Sequence, residues 1–376
     1  MSEALATEPI RIVQVGAGNM GRAWLRALAE SADVELVGLV DIDVPHATTV
    51  ARESGLDVVI GSSAVEVARQ AHAHAVLDVT VPPAHHAVNT EALFAGYPVL
   101  CEKPIAETVA ATLSLIAASE VTGRLLMTSQ SRRYYPALDE YARMLGALGG
   151  VGILTTNFAK APRFGGFRDE MDHVLLVDMA IHGFDVARRL LGSEPVAVDA
   201  REFNPAWSWY RGDASAWAQF EFADGARFGY SGSWCSPGFE TSWNGDWRAS
   251  GPNGTAVWDG DGAPRLDLVT GSLPDAPIAE GPSEIRGALA EFVDALRTGR
   301  TPSGEVHANV LSLAMVEAAI LSSERRATVR IADVLEDAYA AALTAETRDD
   351  VRAALQSWGS ASGHLGLAPA AETVAS

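Results

Sequence analysis

Three glycines near the start of the chain have the spacing of a pyrophosphate-binding turn. Gly16, Gly18 and Gly21 form G-x-G-x-x-G directly after an apolar run, with Asn19 and Met20 opening a segment of helical spacing. The first glycine permits a tight turn, the second lets the backbone approach the phosphates, and the third lets the helix pack on the strand. Free N–H groups at the helix N-terminus favour the same anion. The segment therefore predicts a dinucleotide site.

A carboxylate follows the second predicted strand, about 20 residues after the last glycine, at Asp41. An acidic residue at this interval can accept both hydroxyls of the adenosine ribose, and it repels a 2′-phosphate. The next residue is Ile42, where an arginine would favour NADP. These features favour NAD over NADP. An ordinary aspartate at the turn after a strand is the alternative.

A lysine ends another predicted strand. Lys103 lies in the motif C-E-K-P at 101–104, after a run typical of a parallel strand. Ligands of such sheets bind beyond the carboxyl ends of the strands, so Lys103 is predicted near the reacting end of the cofactor. There an ammonium group can act as an acid or base for a hydroxyl or carbonyl. A solvated turn is the alternative.

A carboxylate and an imidazole lie farther along the chain. If the segment is α-helical, Asp178 and His182 share one face, with Asp185 close behind. Apolar residues on the other faces predict a largely buried helix, where a carboxylate can orient an imidazole for proton transfer. A helical ion pair without a chemical role is the alternative. No metal is predicted, because the spacing of His173, the nearest further ligand, suits no common site.

The elements that must position these residues change in kind along the chain. Apolar runs alternate with helical segments over the first third, which predicts an α/β fold with a doubly wound parallel sheet of the Rossmann type at 1–133. Residues 134–345 are predicted to form an α+β domain with an open, mostly antiparallel sheet, including a hairpin with Asp-Gly at its bend. An Ala- and Ser-rich tail, 346–376, is predicted to be weakly ordered.

The composition disfavours several partners. Lys and Arg number 28 against 48 Asp and Glu, a net charge of −20, so neither nucleic acid nor an anionic membrane is expected as a partner. The two cysteines, Cys101 and Cys235, form no disulfide framework. The N-terminus lacks a signal-peptide pattern, and no apolar run reaches the roughly 18 residues of a membrane span. A soluble, cytoplasmic protein is expected.

The three motifs occur together in one order: G-A-G-N-M-G at 16–21, C-E-K-P at 101–104 and D-M-A-I-H at 178–182. In this order they resemble the glucose–fructose oxidoreductase/inositol dehydrogenase (Gfo/Idh/MocA) family of NAD(P)-dependent sugar oxidoreductases, over about 10–331. The resemblance implies that Lys103 lies beside the nicotinamide and the reacting hydroxyl. It implies that His182 exchanges the hydroxyl proton and that Asp178 binds substrate hydroxyls.

The resemblance also implies further contacts, made by loops that follow the predicted strands. Which of His85 and His86 corresponds to the single histidine of the family stays open. Residues 160–168 form a basic loop that can contact substrate, although a solvated loop is the alternative. The cofactor contacts expected in addition to the glycine motif and Asp41 are Thr80, Val81, Pro82, His85, Glu102 and Lys103, and the substrate contacts are Lys103, Arg132, Tyr134, Arg163, Asp178 and His182.

The reaction implied is hydride transfer between NAD, with NADP less favoured, and a CH–OH carbon of a sugar, inositol or related polyol. One alternative is redox-neutral glycoside cleavage or elimination with tightly bound NAD, and another is a non-catalytic NAD-binding sensor. A homodimer or homotetramer through the C-terminal sheet is also implied. Seven of the nine tryptophans lie within 207–258. They could stack on a sugar or form an oligomer contact, and the contact is favoured for most of them.

Overall fold

The computed structural model describes residues 8–274 and 276–367, which belong to two compact units. The first unit contains the chain up to Ser131, together with Pro282–Val310 and Ala338–Leu365. The second contains Arg132–Gly281 and Leu311–Asp337. The sequence predicted a first boundary near residue 133, but it did not predict that two later segments belong to the first unit.

The first unit is built on six parallel strands in the order β3-β2-β1-β4-β5-β6. This doubly wound sheet confirms the predicted Rossmann fold. Strands such as β1 and β4 consist mostly of buried apolar residues, because both faces of the sheet are covered. The strands are β1 (Ile10–Val15), β2 (Val34–Val40), β3 (Val59–Gly61), β4 (Ala75–Asp78), β5 (Val99–Glu102) and β6 (Leu126–Ser129); the intervening helices are α1 (Asn19–Ala29), α2 (Val44–Glu53), α3 (Ala64–Gln70), α4 (Pro82–Phe94) and α5 (Val109–Thr122).

The second unit is built on an eight-stranded sheet in the order β13-β12-β11-β7-β10-β9-β8-β14. Every neighbouring pair is antiparallel except β7 and β10, so the predicted mostly antiparallel sheet is confirmed. Its elements are α6 (Pro136–Gly146), β7 (Ile153–Ala159), α7 (Ile181–Leu191), β8 (Pro195–Phe203), β9 (Ser215–Phe222), β10 (Arg227–Ser233), β11 (Asp246–Gly251), β12 (Gly254–Trp258), β13 (Arg265–Leu268) and β14 (Val329–Arg330).

The predicted hairpin joins β9 to β10, with Gly225 at a φ of +91° in its turn. Side chains on β9 alternate between buried and exposed, so one face of the sheet packs against the unit. Phe184 of α7 packs there in edge-to-face contact with Phe220 and Phe228. Helix α7 is thereby fixed on the sheet, and α7 carries His182.

The remaining helices follow β13 in sequence, and β14 lies between α9 and α10. They are α8 (Glu284–Thr298), α9 (Val306–Arg325), α10 (Ile331–Ala345), α11 (Asp349–Trp358) and α12 (Ala361–His364). Helix α9 is long and apolar enough to cross a membrane, with a mean hydropathy of 1.4. Among the described residues it is the only helix with these properties. In the apolar stretch 67% of the residues are buried in protein, as in a core helix.

The structure differs from the expected weakly ordered tail at 346–376. Helix α11 packs on α5 through Val351 and Leu355, and Ser360 caps α12 by accepting a hydrogen bond from Gly363 N. The Ala-rich composition predicts weak order, but alanine has a high helix propensity. Such a segment forms stable helices once an apolar face is buried against the protein. Residues 368–376 of the expected tail lie outside the described residues.

Candidate active site

The glycine-rich turn of the first unit leaves space for a ligand next to the backbone. Gly16 has a φ of +102°, and a Cβ there would lie 2.5 Å from Val79 O. A Cβ on Gly21 would collide with Gly16 O, whereas one on Gly18 would meet nothing within 4 Å. Helix α1 begins at the next residue, Asn19. The turn fits a pyrophosphate, because its backbone approaches open space at a helix N-terminus.

Asp41 ties this turn to the carboxyl end of β2. Its Oδ2 accepts a hydrogen bond from Ala17 N at 2.9 Å, and its Oδ1 accepts one from Asp43 N at 3.0 Å. Ile42 is 96% exposed and provides no positive charge for a 2′-phosphate. The position of Asp41 is therefore compatible with its predicted contact to the adenosine ribose.

If Asp41 binds the ribose hydroxyls as predicted, Asp41→Asn should reduce the preference for NAD over NADP about 10- to 100-fold, because a hydrogen bond to a charged group is lost and the repulsion of a 2′-phosphate is removed. Asparagine can still accept from Ala17 N, which keeps the turn in place. Calorimetric dissociation constants for the two cofactors measure the ratio without a substrate. Asp43→Asn is the matched control, since Asp43 caps α2. Equal ratios in both variants would contradict the ribose role.

A buried carboxylate, Asp78, holds the loop after β4, where Thr80, Val81 and Pro82 are predicted to contact the cofactor. Asp78 Oδ1 accepts from Thr80 N at 3.0 Å and from Thr80 Oγ1 at 2.6 Å. Burial raises the pKa of the Asp78 carboxyl, while His85 and the bonds from Thr80 oppose the rise. Sequence reasoning missed Asp78. Its signal was an aspartate at the end of an otherwise apolar strand.

His85 links this loop to the segment that carries Lys103. Its Nδ1 lies 2.7 Å from Pro104 O and its Nε2 lies 3.1 Å from Thr80 O, so a neutral ring can donate to only one of the two carbonyls. His86 instead contacts Ser114 Oγ at 3.0 Å. Of the two histidines left open by the sequence, His85 touches both predicted cofactor segments.

Lys103 is anchored through its backbone at the carboxyl end of β5. Glu102 Oε2 accepts from Lys103 N at 3.1 Å, and Glu102 Oε1 accepts from the Nε1 of Trp24, on α1, at 2.8 Å. Burial raises the pKa of the Glu102 carboxyl, against the effect of these bonds. Glu102 therefore fixes the backbone of Lys103 relative to α1, the helix that follows the glycine turn. The predicted contact of Glu102 with the cofactor stays a prediction. Trp24 was missed by sequence reasoning.

In the second unit, Asp178 does not lie in an α-helix. Leu175–Ala180 forms a π-helical turn directly before α7. This corrects the prediction that Asp178 and His182 share one face of a single α-helix. A π-turn closes i→i+5 hydrogen bonds, and such turns are frequent at functional sites. Asp178 accepts from Arg168 Nε at 2.7 Å and from Arg168 Nη2 at 3.3 Å.

His182 is 7% exposed and lines a cavity of about 20 Å³ within the second unit. Arg132, one of the predicted substrate contacts, lines the same cavity and donates to Tyr135 Oη at 2.8 Å. Its polar lining also includes Asn244, Tyr230 and Thr156, which sequence reasoning missed. The cavity is far smaller than a typical ligand pocket. Tyr134, another predicted contact, is half-buried.

Asp185 anchors the helix that carries His182. It accepts from Arg133 Nε at 2.5 Å and Nη2 at 2.8 Å, and from Ser312 Oγ at 2.8 Å. Ser312 also accepts from Arg188 Nη1 at 2.9 Å. A buried carboxylate with this many donors has a structural role, which fixes α7 relative to α9.

The basic loop at 160–168 is engaged within its own unit. Lys160 pairs with Glu240 at 3.1 Å, and the Arg163 guanidinium lies 3.9 Å from the centre of the Trp209 ring. Among the seven clustered tryptophans, Trp234, Trp247 and Trp258 are only 2–3% exposed and belong to the core. Because these three rings are buried in the core, they are not available to stack on a sugar or to form an oligomer contact. Trp207 and Trp217 are exposed.

A parallel sheet with a glycine-rich turn and an acidic residue after its second strand defines a protein with an NAD-binding Rossmann fold. Residues 10–130 match the family model of oxidoreductases with an NAD-binding Rossmann fold. Residues 141–257 match the GFO/IDH/MocA C-terminal domain. The chain belongs to the Gfo/Idh/MocA family of oxidoreductases.

Relatives in sequence support the family. The protein y4oX of Sinorhizobium fredii is 30% identical over 66% of this chain and 72% of its own length. Inositol 2-dehydrogenase 1 of Saccharopolyspora erythraea is 34% identical over 50% of this chain and 56% of its own length. Inositol 2-dehydrogenase of Burkholderia ambifaria is 32% identical over 49% of this chain and 55% of its own length. The alignments thus span about half the length of these two dehydrogenases.

Solved structures share the fold. An oxidoreductase of Agrobacterium radiobacter, in complex with NAD+, L-tartaric acid and magnesium, has a TM-score of 0.77 at 20% identity, covering 88% of this chain and 100% of that one. The aldose-aldose oxidoreductase of Caulobacter crescentus, complexed with glycerol, has a TM-score of 0.75 at 23% identity. The match covers 86% of this chain and 99% of that one. At these identities the likeness concerns the fold alone.

Proposed function

We propose that this protein is a dehydrogenase that transfers a hydride between NAD and a CH–OH carbon of a sugar, an inositol or a related polyol. The observation that carries the proposal is the anchoring of Lys103 by Glu102 at the carboxyl end of β5, in the unit whose glycine turn and Asp41 fit NAD. Named relatives that are inositol 2-dehydrogenases support a polyol substrate.

Bound NAD supplies the group that accepts or donates the hydride. In the proposal, Lys103 hydrogen-bonds the substrate oxygen and polarises it, and His182 takes the hydroxyl proton during oxidation or returns it during reduction. Asp178, oriented by Arg168, accepts hydrogen bonds from other substrate hydroxyls. Arg132, Tyr134 and Arg163 are the further substrate contacts proposed. Thr80, Val81, Pro82 and His85 are the proposed cofactor contacts after β4.

The proposal includes a homodimer or homotetramer that assembles through the eight-stranded sheet, and action in the cytoplasm. Ile153 and Trp217 are 58% and 59% exposed on strands of this sheet. Large apolar side chains exposed on a sheet are enriched at contacts between subunits. Sedimentation of the purified protein measures the assembly directly.

The first test is NADH absorbance during a screen of purified protein and NAD against inositols, aldoses, sugar acids, anhydrosugars and glycosides. NADH formed with one substrate class is the expected result, since a dehydrogenase releases reduced cofactor at each turnover. Consumption of a glycoside without net NADH, with NAD co-purifying, would replace the proposal by the redox-neutral reaction. Binding of NAD without turnover of any compound would favour a sensor.

A further inference from the structure

Three metal-binding side chains from three separate helices meet on the first unit. Glu120 lies on α5, His307 on α9 and His364 on α12. The Oε1 atom of Glu120 is 2.9 Å from His307 Nε2 and 2.6 Å from His364 Nε2. One ligand atom from each residue lies within 4.8 Å of the other two. We call this group the Glu120–His307–His364 cluster.

The donor set suits a transition metal of the zinc type. Two imidazole nitrogens and one carboxylate oxygen are ligands that Zn²⁺ accepts at about 2.0–2.2 Å, which places tetrahedral ligand atoms about 3.3 Å apart. The two observed distances from Glu120 Oε1, 2.9 and 2.6 Å, are about 0.4 and 0.7 Å shorter than this spacing. Small outward rotations of the side chains would therefore admit an ion in place of the protons between them.

Neighbouring groups contact each of the three ligands. Glu305 Oε1 lies 2.7 Å from His307 Nδ1, so an Nδ1–H bond to this carboxylate directs Nε2 towards the cluster. Trp358 Nε1 donates to Glu120 Oε2 at 2.9 Å and leaves Oε1 for the cluster. The Trp358 ring also stacks on His364, with the centroids 4.2 Å apart. Carboxylate–histidine–metal relays of this kind are typical of built metal sites.

An ion can reach the cluster from solvent. The side chains of Glu120, His307 and His364 are 28%, 36% and 27% exposed. His307 and Glu305 also line a surface cavity of about 630 Å³ within the same unit. With three protein ligands, a water molecule can fill the fourth position of a tetrahedral ion.

We propose that Glu120, His307 and His364 bind one Zn²⁺ ion that fastens α12 to α5 and α9. The site involves none of the residues assigned to hydride transfer, and it holds whether or not the proposed function does. Ion binding adds its free energy to the folded state alone, so it stabilises the C-terminal helices of the first unit.

The test is titration of the tag-free full chain with Zn²⁺ in competition with a chromophoric chelator. We expect one ion per chain, and a loss of affinity of at least about tenfold in each of His307→Ala, His364→Ala and Glu120→Gln. His72→Asn is the matched control, because His72 is an exposed histidine of the same unit outside the cluster. Retained NAD binding reports that each variant is folded.

Two further readouts separate a built site from adventitious binding. Co²⁺ should give the intense visible absorption of tetrahedral coordination in the natural protein and not in His364→Ala. Zn²⁺ should slow amide exchange in 349–364 of the natural protein only, because this segment is the one the ion fastens. Equal Zn²⁺ affinity in the natural protein and His364→Ala, or no binding by the natural protein, would overturn the proposal.

Discussion

Lys103→Met should lower kcat/KM for the oxidised substrate about 100- to 10,000-fold, the usual contribution of a positioned acid or base. Methionine preserves most of the length and apolar character of the side chain and removes its ammonium group. The backbone bond from Lys103 N to Glu102 and the bond from Trp24 to Glu102 do not involve the substituted atoms. The dissociation constant of NAD, measured by calorimetry, should therefore change little.

Two further variants distinguish charge from proton exchange at this position. Lys103→Arg keeps the positive charge but cannot release a proton near neutral pH, so it should remain slow if Lys103 exchanges a proton. Arg69→Met removes a cation from an exposed position of α3 and should leave turnover unchanged. Full activity in Lys103→Met would remove the lysine from the mechanism. Equal losses of NAD binding and turnover would make it a cofactor contact alone.

The chain has two lysines, Lys103 and Lys160, which permits a direct spectroscopic check. Lysine labelled with ¹³C at Cε should give two NMR signals, and the signal absent from Lys103→Met belongs to Lys103. Addition of NAD should shift that signal, because the proposal places the ammonium group beside the cofactor. A shift confined to Lys160 would contradict the placement.

The Rossmann sheet could be predicted because its determinants are local. Apolar runs mark the strands, the glycine spacing marks the first turn, and helices such as α5 (Val109–Thr122) alternate with the strands as predicted. Thr108 even caps that helix, by accepting from Ala111 N. Asp41 and Lys103 follow from the same rule, since residues at the carboxyl ends of parallel strands face one edge of the sheet.

What the sequence could not predict depends on contacts between distant residues. Arg133 and Asp185 are 52 residues apart, Ser312 lies 127 residues beyond Asp185, and no periodicity relates the three. His364 and Glu120, 244 residues apart, are brought together only when α11 packs on α5. The assignment of the C-terminal helices to the first unit is likewise a consequence of burial.

The π-helical turn at Leu175–Ala180 illustrates a different limit. A π-turn inserts one residue into an otherwise α-helical segment, and apolar side chains can remain buried in either form. Hydrophobic spacing therefore predicts a buried helix there but not its winding. The consequence falls on Asp178, whose carboxylate accepts hydrogen bonds from Arg168. Arg168 belongs to the basic loop for which substrate contact and a solvated loop were the two alternatives.

His182→Ala should lower kcat about 100- to 10,000-fold and leave the affinity for NAD unchanged, because the imidazole is proposed to carry the hydroxyl proton. The side chain is almost fully buried on α7, and Asp185 fixes that helix independently of His182. Substituting alanine therefore removes the proton carrier and leaves its support in place. Steady-state NADH formation separates kcat from KM.

Imidazole added to His182→Ala distinguishes proton transfer from packing. If His182 carries a proton, free imidazole should restore part of kcat in proportion to its concentration. His182→Asn should stay slow, because a carboxamide is neither an effective acid nor an effective base near neutral pH. His173→Gln is the matched control, since His173 pairs with Glu202 elsewhere in the second unit and should keep its turnover. A His182→Ala variant whose lost kcat does not respond to imidazole, while His182→Asn is active, would make this histidine a positioning residue and leave Lys103 as the proton-exchanging group.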